Sequence, residues 1–284
     1  METIPQFLLV VMSLLAAGSI AIWARLIPKM LRREPLVEPE PRPSVAWTGP
    51  DVLMAFVIWI LLQSGLSSVN GLQRELDQLQ FPDRWMAVNA LASLGALAIM
   101  LMFLRARSAT WAELGFETKQ LGYDLRLGAL AFVAAALPVY GTLILLANWF
   151  TYEHPITRMI KEHPELRTLA LATWTAVVIA PLIEEFFFRV LFQGWLESRA
   201  EGLRSRGRYG EAFAEYAPIA VSSFVFAAVH IGNGPDFLPL FELSLILGYL
   251  YRQTHRIYAP LIAHMCLNGT TMLILWCEVW GKIA

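Results

Sequence analysis

Long apolar stretches recur along this chain, and they leave it few folds to adopt. Apolar residues make up 57% of the sequence and charged residues 16%, whereas an ordinary soluble domain has about 25% charged residues. A helix needs roughly 20 mostly apolar residues to cross a bilayer. The sequence therefore predicts an all-α fold, a polytopic membrane helical bundle with about eight transmembrane helices. The predicted spans are residues 5–27, 51–69, 85–104, 125–150, 169–193, 217–232, 236–251 and 257–280.

The loops between these spans predict the orientation of the bundle. Their basic residues fall mostly after the first, third, fifth and seventh spans. Because Lys and Arg are held back on the cytoplasmic side, both termini are predicted to be non-cytoplasmic. The sixth and seventh spans are short and are separated only by a turn-forming cluster at 232–236. These two spans could therefore form a hairpin that does not fully cross the membrane.

The chain divides into three predicted regions. Residues 1–27 form an accessory N-terminal transmembrane helix, with a signal anchor as the alternative. Residues 28–50 are rich in proline and charge, which is typical of an extended linker, here on the cytoplasmic side. Residues 51–284 form the helical core. The prolines of the linker that support this division are Pro35, Pro39, Pro41 and Pro43.

Three charged residues interrupt the fifth span: Glu184, Glu185 and Arg189. Each ionisable group at the centre of a membrane costs about 2.5–3.5 kcal/mol on insertion scales, so such groups usually have a function. Positions four apart share a helix face, which pairs Glu185 with Arg189 and points Glu184 about 100° away. The pair is predicted to be structural. Glu184 is left as a candidate general base.

Two other spans carry histidines among apolar residues. His230 follows Phe226 by four positions, and Asn268 follows His264 by four positions. A spacing of four again places each pair on one helix face. A lone buried histidine is usually a hydrogen-bonded core group, and a lone asparagine can hold helices together. Polar groups on three separate apolar helices are better explained by a common functional site.

These motifs resemble, in order and spacing, those of the CPBP intramembrane proteases, also called the Abi or type II CAAX prenyl endopeptidase family. The resembling residues are Glu184-Glu185-x-x-x-Arg189, Phe226-x-x-x-His230 and His264-x-x-x-Asn268, within residues 169–270. Each motif alone is weak, and three in sequence within hydrophobic helices are specific. The N-terminal helix and the linker lie outside the resemblance.

The resemblance implies peptide-bond hydrolysis in an intramembrane cavity near the cytoplasmic leaflet. It implies that Glu184 is the general base, that His230 helps it to activate a water, and that His264 and Asn268 stabilise the oxyanion. Glu185, Arg189 and Phe226 then support the site. A zinc ion held by Glu184, His230 and His264 is the alternative. The sequence has no H-E-x-x-H motif, so a reaction without metal or other cofactor is the preferred prediction.

Other functions are also considered. A catalytically idle membrane scaffold, or a bacteriocin-immunity protein of the same fold, would keep the helices without the chemistry. A proton-coupled transporter would be expected to show internal symmetry, and the sequence has none. The expected partners are membrane lipids and a peptide or protein substrate, with or without a lipid. The net charge of −1 gives no sign of nucleic-acid binding, and the expected location is a bacterial plasma (inner) membrane.

Overall fold

Helices make up all the regular secondary structure in the described part of the chain. The computed structural model describes residues 6–42, 45–68, 82–150, 155–208, 210–231 and 236–280. The all-α prediction is confirmed for these residues. The helices are α1 (Gln6–Leu31), α2 (Gly49–Ser68), α3 (Pro82–Ala106), α4 (Leu121–Ala147), α5 (Pro155–Glu162), α6 (Leu166–Arg204), α7 (Glu211–Ala228), α8 (Phe237–Thr254) and α9 (Tyr258–Trp280).

Each predicted span corresponds to one of these helices. In the described residues, α1, α3, α4, α6 and most of α9 are long and apolar enough to cross a membrane, and α2 has a shorter apolar part at Gly49–Ser64. The chain is therefore an integral, multi-pass membrane protein. Helices α7 and α8 have 18 residues each. Of the turn predicted between them at 232–236, residues 232–235 lie outside the described residues.

Some predicted boundaries were wrong. Helix α1 continues through Pro28 to Leu31, so the segment after it is shorter than residues 28–50. The short helix α5 was not predicted because eight residues are too few to give a spanning signal. Helix α6 has 39 residues and extends eleven residues past the predicted end at 193. At about 1.5 Å per residue it is about 58 Å long, longer than the roughly 30 Å hydrocarbon core of a bilayer.

Helix α6 contains two stretches of wide turns. Thr175–Ile179 and Glu185–Gln193 are π-helical, and a short α-helical turn at Ala180–Glu184 separates them. Such π turns are rare and often occur at functional sites. The two glutamates of the sequence motif lie at the junction between the α-helical turn and the second π-helical stretch.

Helix α6 is also the centre of the bundle. Phe186, Phe187 and Phe188 are each 0% exposed, although three consecutive residues cannot share one face of a helix. A helix that buries all its faces must be surrounded by other elements. Helices α2, α3, α7, α8 and α9 supply these elements, and Phe56 and Phe226 contact the phenylalanine cluster edge to face.

The N-terminal helix and the segment after it both contact the core. Ser19 and Trp23 of α1 donate hydrogen bonds to the Ala134 carbonyl of α4, at 2.9 and 2.8 Å. The proline-rich segment, which we call the strap (residues 36–42 and 45–47), contacts the C-terminal parts of α6 and α8. Pro43, one of the prolines used to predict a linker, lies outside the described residues.

Ion pairs hold the strap in place. Glu40 pairs with Arg256, which also donates to Asp124 of α4 at 2.7 Å. Arg42 pairs with Glu197 of α6. Arg256, Asp124 and Glu197 are all buried. Burial lowers the pKa of Arg256, but Asp124 and Glu40 outweigh burial and raise this pKa above its usual value. The strap is therefore fixed to the core and lies against the C-terminal part of the helix that carries the site.

Candidate active site

Three side chains from separate helical segments meet inside the bundle. Glu184 lies on α6, His264 lies on α9, and His230 lies in the turn after α7. His230 Nε2 is 3.8 Å from Glu184 Oε1, and His264 Nε2 is 3.7 Å from Glu184 Oε2. Each carboxylate oxygen thus faces one imidazole. Both separations exceed a direct hydrogen bond of about 2.7–3.2 Å, which leaves room for a water or substrate atom to bridge the groups.

The other nitrogen of each ring fixes its orientation. His230 Nδ1 lies 2.7 Å from the Phe226 carbonyl, and His264 Nδ1 lies 2.9 Å from Glu185 Oε1. Both partners are acceptors, so Nδ1 carries the hydrogen in each ring. The Nε2 atom directed at Glu184 therefore accepts a hydrogen bond when the ring is neutral and donates one when the ring is protonated.

Glu185 and Arg189 form the buried support of these histidines. Both side chains are 0% exposed, and Arg189 Nε lies 3.1 Å from Glu185 Oε2. Arg189 also donates to Ser222 Oγ at 3.4 Å and to Ser244 Oγ at 3.0 Å. A buried charge is tolerated only when it is paired and hydrogen-bonded. Glu185 uses its second oxygen to hold His264, so the pair connects α6 to α7, α8 and α9.

Phe226 fills the space between the charged groups. Its ring lies 5.2 Å from the Arg189 guanidinium carbon, in the geometry of a cation–π contact. The ring centroids of His230 and His264 are 4.9 and 6.1 Å away. Phe226 is 0% exposed, and it therefore limits how far either imidazole can move.

Asn268 contacts α6 at Ala176, which lies nearer the start of the helix than Glu184 does. The Ala180 N–H bonds the Thr175 carbonyl, five residues back. The same wide turn would pair the Ala176 carbonyl with residue 181, which is a proline and has no N–H. Asn268 Nδ2 donates to that Ala176 carbonyl at 2.9 Å. The Asn268 amide thus satisfies a carbonyl left open by the π turn, and it has a second N–H for another acceptor.

Replacing Asn268 by Ala should lower the free energy of unfolding by about 1–3 kcal/mol, because the Ala176 carbonyl would lose its partner inside the bundle. Thermal unfolding of the purified protein in detergent measures this effect. The matched control is Asn148→Ala, since Asn148 makes a similar bond to the Ile144 carbonyl on an exposed surface. Equal stability losses in the two variants would show that the Asn268 bond has no special role.

Several of these contacts were missed by the sequence analysis. Ser222 lies four residues before Phe226, so helical spacing could have placed it on the same face. No sequence pattern indicated the bond from His264 to Glu185. Nor did any pattern indicate that Ser244 and the Ala176 carbonyl take part in the site. Their positions depend on how the helices cross and where α6 widens its turns.

A zinc ion was the alternative that the sequence left open for this site. Within the described residues, no group of three or more His, Cys, Asp or Glu side chains is arranged to hold a metal ion. This includes Glu184, His230 and His264, the set considered for zinc.

The fold and this geometry define a class: a multi-pass helical membrane protein with a carboxylate and two histidines among its apolar helices. Residues 166–270 match the family described as type II CAAX prenyl endopeptidase Rce1-like. The membrane-embedded CAAX protease MroQ of Staphylococcus aureus (strain USA300) is 25% identical over 181 residues, which are 63% of this chain and 69% of the relative. No solved structure matches the chain.

In residues 166–270 the chain is thus similar to the type II CAAX prenyl endopeptidases, in agreement with the family resemblance found in the sequence. The matched region contains all three motifs identified in the sequence. These comparisons support an intramembrane protease as the kind of protein. The family match does not extend to the strap or to helices α1 to α5.

Proposed function

We propose that this protein is an intramembrane endopeptidase in which Glu184 activates a water to hydrolyse a peptide bond. The observation that carries the proposal is the placement of both Glu184 oxygens, each facing the Nε2 atom of a different imidazole at 3.7–3.8 Å. A carboxylate and an imidazole at this separation can hold and deprotonate one water between them. We place the cleaved bond near the cytoplasmic leaflet, as the family resemblance implies.

In the proposed reaction, Glu184 accepts a proton from the water while His230 Nε2 accepts the water's other hydrogen as a hydrogen bond. The water oxygen attacks the scissile carbonyl carbon, and the carbonyl oxygen becomes an oxyanion. Glu184 then passes its proton to the leaving nitrogen as the C–N bond breaks. One peptide ends with a new carboxylic acid, which keeps the second hydrogen of the water, and the other ends with a new amine.

His264 and Asn268 are proposed to stabilise the oxyanion. His264 donates from Nε2 when its ring is protonated, and Glu185 Oε1 then holds the Nδ1 side of the ring. Asn268 has one amide hydrogen left after its bond to Ala176. A donor aimed at a developing oxyanion in a water-poor site typically contributes a few kcal/mol to lowering the barrier.

The proposed setting is a bacterial plasma (inner) membrane with both termini on the non-cytoplasmic side. The basic residues of the loops support this orientation. The proposed partners are membrane lipids and a peptide or protein substrate, with or without a lipid. The relative from S. aureus is described as a membrane-embedded CAAX protease, which supports a bacterial membrane for this chain.

Metal chelators should leave hydrolysis by the purified protein within about twofold of the untreated rate. The reason is that Glu184 and His230 supply the base and the hydrogen-bond acceptor without a Lewis acid. The measurement is the rate of peptide cleavage before and after treatment with EDTA and with phenanthroline. Loss of activity that added zinc restores would replace this mechanism with a metal-dependent one.

A further inference from the structure

A cavity lies beside Glu184, and neither histidine is part of its lining. Its volume is about 150 Å³, and it is bounded by α2, α3 and α6. A single water needs roughly 10–15 Å³, so this cavity has room for more than the one water that the reaction uses. The polar residues of its lining are Trp59, Gln63, Asn89, Ser93, Thr175 and Glu184.

The shape of the cavity follows α6 away from the catalytic carboxylate. Its lining extends from Glu184 to Thr175, which is nine positions toward the start of the helix. At about 1.5 Å per helical residue this is about 14 Å. An extended peptide rises about 3.3 Å per residue, so about four substrate residues in that conformation match the length of the cavity.

Two polar atoms in the lining have unused hydrogen-bonding capacity. Trp59 Nε1 and Thr175 Oγ1 are buried and have no hydrogen-bond partner among the described residues. A buried polar group without a partner costs free energy, and this cost is large where no water is at hand. Gln63 donates to Ser93 at 2.7 Å across the same wall, so polar groups continue along the cavity from α2 to α3.

The chemistry of these atoms matches one kind of ligand. An indole N–H can donate to a carbonyl, and a hydroxyl can accept from an amide or donate to a carbonyl. An extended peptide has unpaired backbone N–H and C=O groups, whereas the interior of a helix has already paired them. The cavity wall is therefore complementary to unwound backbone and not to a helical segment.

We propose that this cavity binds about four residues of extended substrate backbone, next to the scissile bond and on the side nearer the start of α6. Trp59 donates to a substrate carbonyl, and the Thr175 hydroxyl accepts from a substrate amide. The proposal rests on the proposed function, because it takes Glu184 as the point of cleavage. In the proposed orientation this side is the non-cytoplasmic one. The protease thus selects substrate segments that unwind within its helices.

Binding is tested in the full chain carrying Glu184→Gln, in lipid nanodiscs, so that hydrolysis does not interfere. The probe is a short fluorescein-labelled peptide of alternating Leu and Ala residues capped by lysines, and its twin is N-methylated on the backbone amides. Trp59→Phe and Thr175→Val, added singly, should each weaken binding of the unmodified peptide about 3- to 10-fold. N-methylation should weaken binding by a similar factor, and Thr175→Val should remove the difference between the peptides.

Two matched controls make the same chemical changes outside the cavity. Trp85→Phe removes another buried indole N–H without a partner among the described residues. Thr270→Val removes a hydroxyl that bonds within α9. Both controls should bind like the parent. Three results would overturn the subsite: no saturable binding to the parent, binding by the Trp59 and Thr175 variants equal to that of the parent, or equal losses in the controls. Binding by these variants equal to that of the parent is also the result expected of a cavity that only holds water.

The two proposals fail in different ways. If Glu184→Gln still hydrolyses peptides, the proposed function is wrong whatever the binding data show. If Glu184→Gln stops hydrolysis and the Trp59 and Thr175 variants bind the probe like the parent, only the subsite is wrong.

Discussion

Glu184→Gln should reduce peptide hydrolysis by about a thousandfold or more and leave the protein folded. Glutamine has nearly the same shape as glutamate and cannot accept the proton of the attacking water, and loss of a general base typically costs 10²–10⁴-fold. The measurement is the cleavage rate of purified protein, with the unfolding temperature recorded on the same samples. His230→Ala should likewise abolish cleavage, because Glu184 would lose its partner at 3.8 Å.

The control for this experiment is Glu201→Gln. Glu201 is exposed at the end of α6 and pairs with Arg204 on the surface. The Glu201→Gln substitution therefore removes a carboxylate from the same helix, outside the site. It should cleave at the wild-type rate. Cleavage by Glu184→Gln within tenfold of the wild type would exclude Glu184 as the general base.

Arg189→Met should destabilise the protein by about 3–5 kcal/mol, since removing one partner of a buried ion pair leaves the other charge uncompensated. Glu185 is 0% exposed and would retain only His264 as a charged or polar partner among the contacts described above. Ser222 and Ser244 would lose their donor at the same time. Thermal and denaturant unfolding in detergent measure this loss.

Two further variants show whether the stability lost in Arg189→Met comes from an uncompensated buried charge. Arg204→Met breaks an exposed pair with Glu201, and exposed pairs contribute about 0–1 kcal/mol. Adding Glu185→Gln to Arg189→Met should recover part of the stability, because the unpaired charge is removed. A loss in Arg189→Met no larger than in Arg204→Met would show that the buried pair does not hold the helices together.

The sequence predicted the features that depend on local geometry. Apolar length predicted the helices, since a span must pair its own backbone groups and reach across the bilayer. The spacing of four predicted that Glu185 pairs with Arg189 and that Glu184 points elsewhere, and the structure shows the first contact at 3.1 Å. Both predictions use distances along one helix, which the sequence alone determines.

Contacts between helices were harder to predict. The bond from His264 to Glu185 makes Glu185 a direct support of the histidine as well as the partner of Arg189. It joins residues 79 positions apart, and its existence depends on how α9 crosses α6. The π turn at Thr175–Ile179 frees the Ala176 carbonyl for Asn268, and the spacing assumed for an α-helix does not predict such a turn. The proline-rich composition of the strap predicted only an extended linker. In the structure, its Glu40 and Arg42 form ion pairs with the core.

Mass spectrometry of membrane peptides can show whether the protein cleaves peptides inside the membrane through Glu184. Cells that contain the wild-type protein are compared with cells that contain Glu184→Gln at the same level. The expected result is that peptides with new ends appear only with the wild type. Identical peptide sets from the two strains would contradict it and would favour a scaffold or immunity protein that keeps the fold without the chemistry.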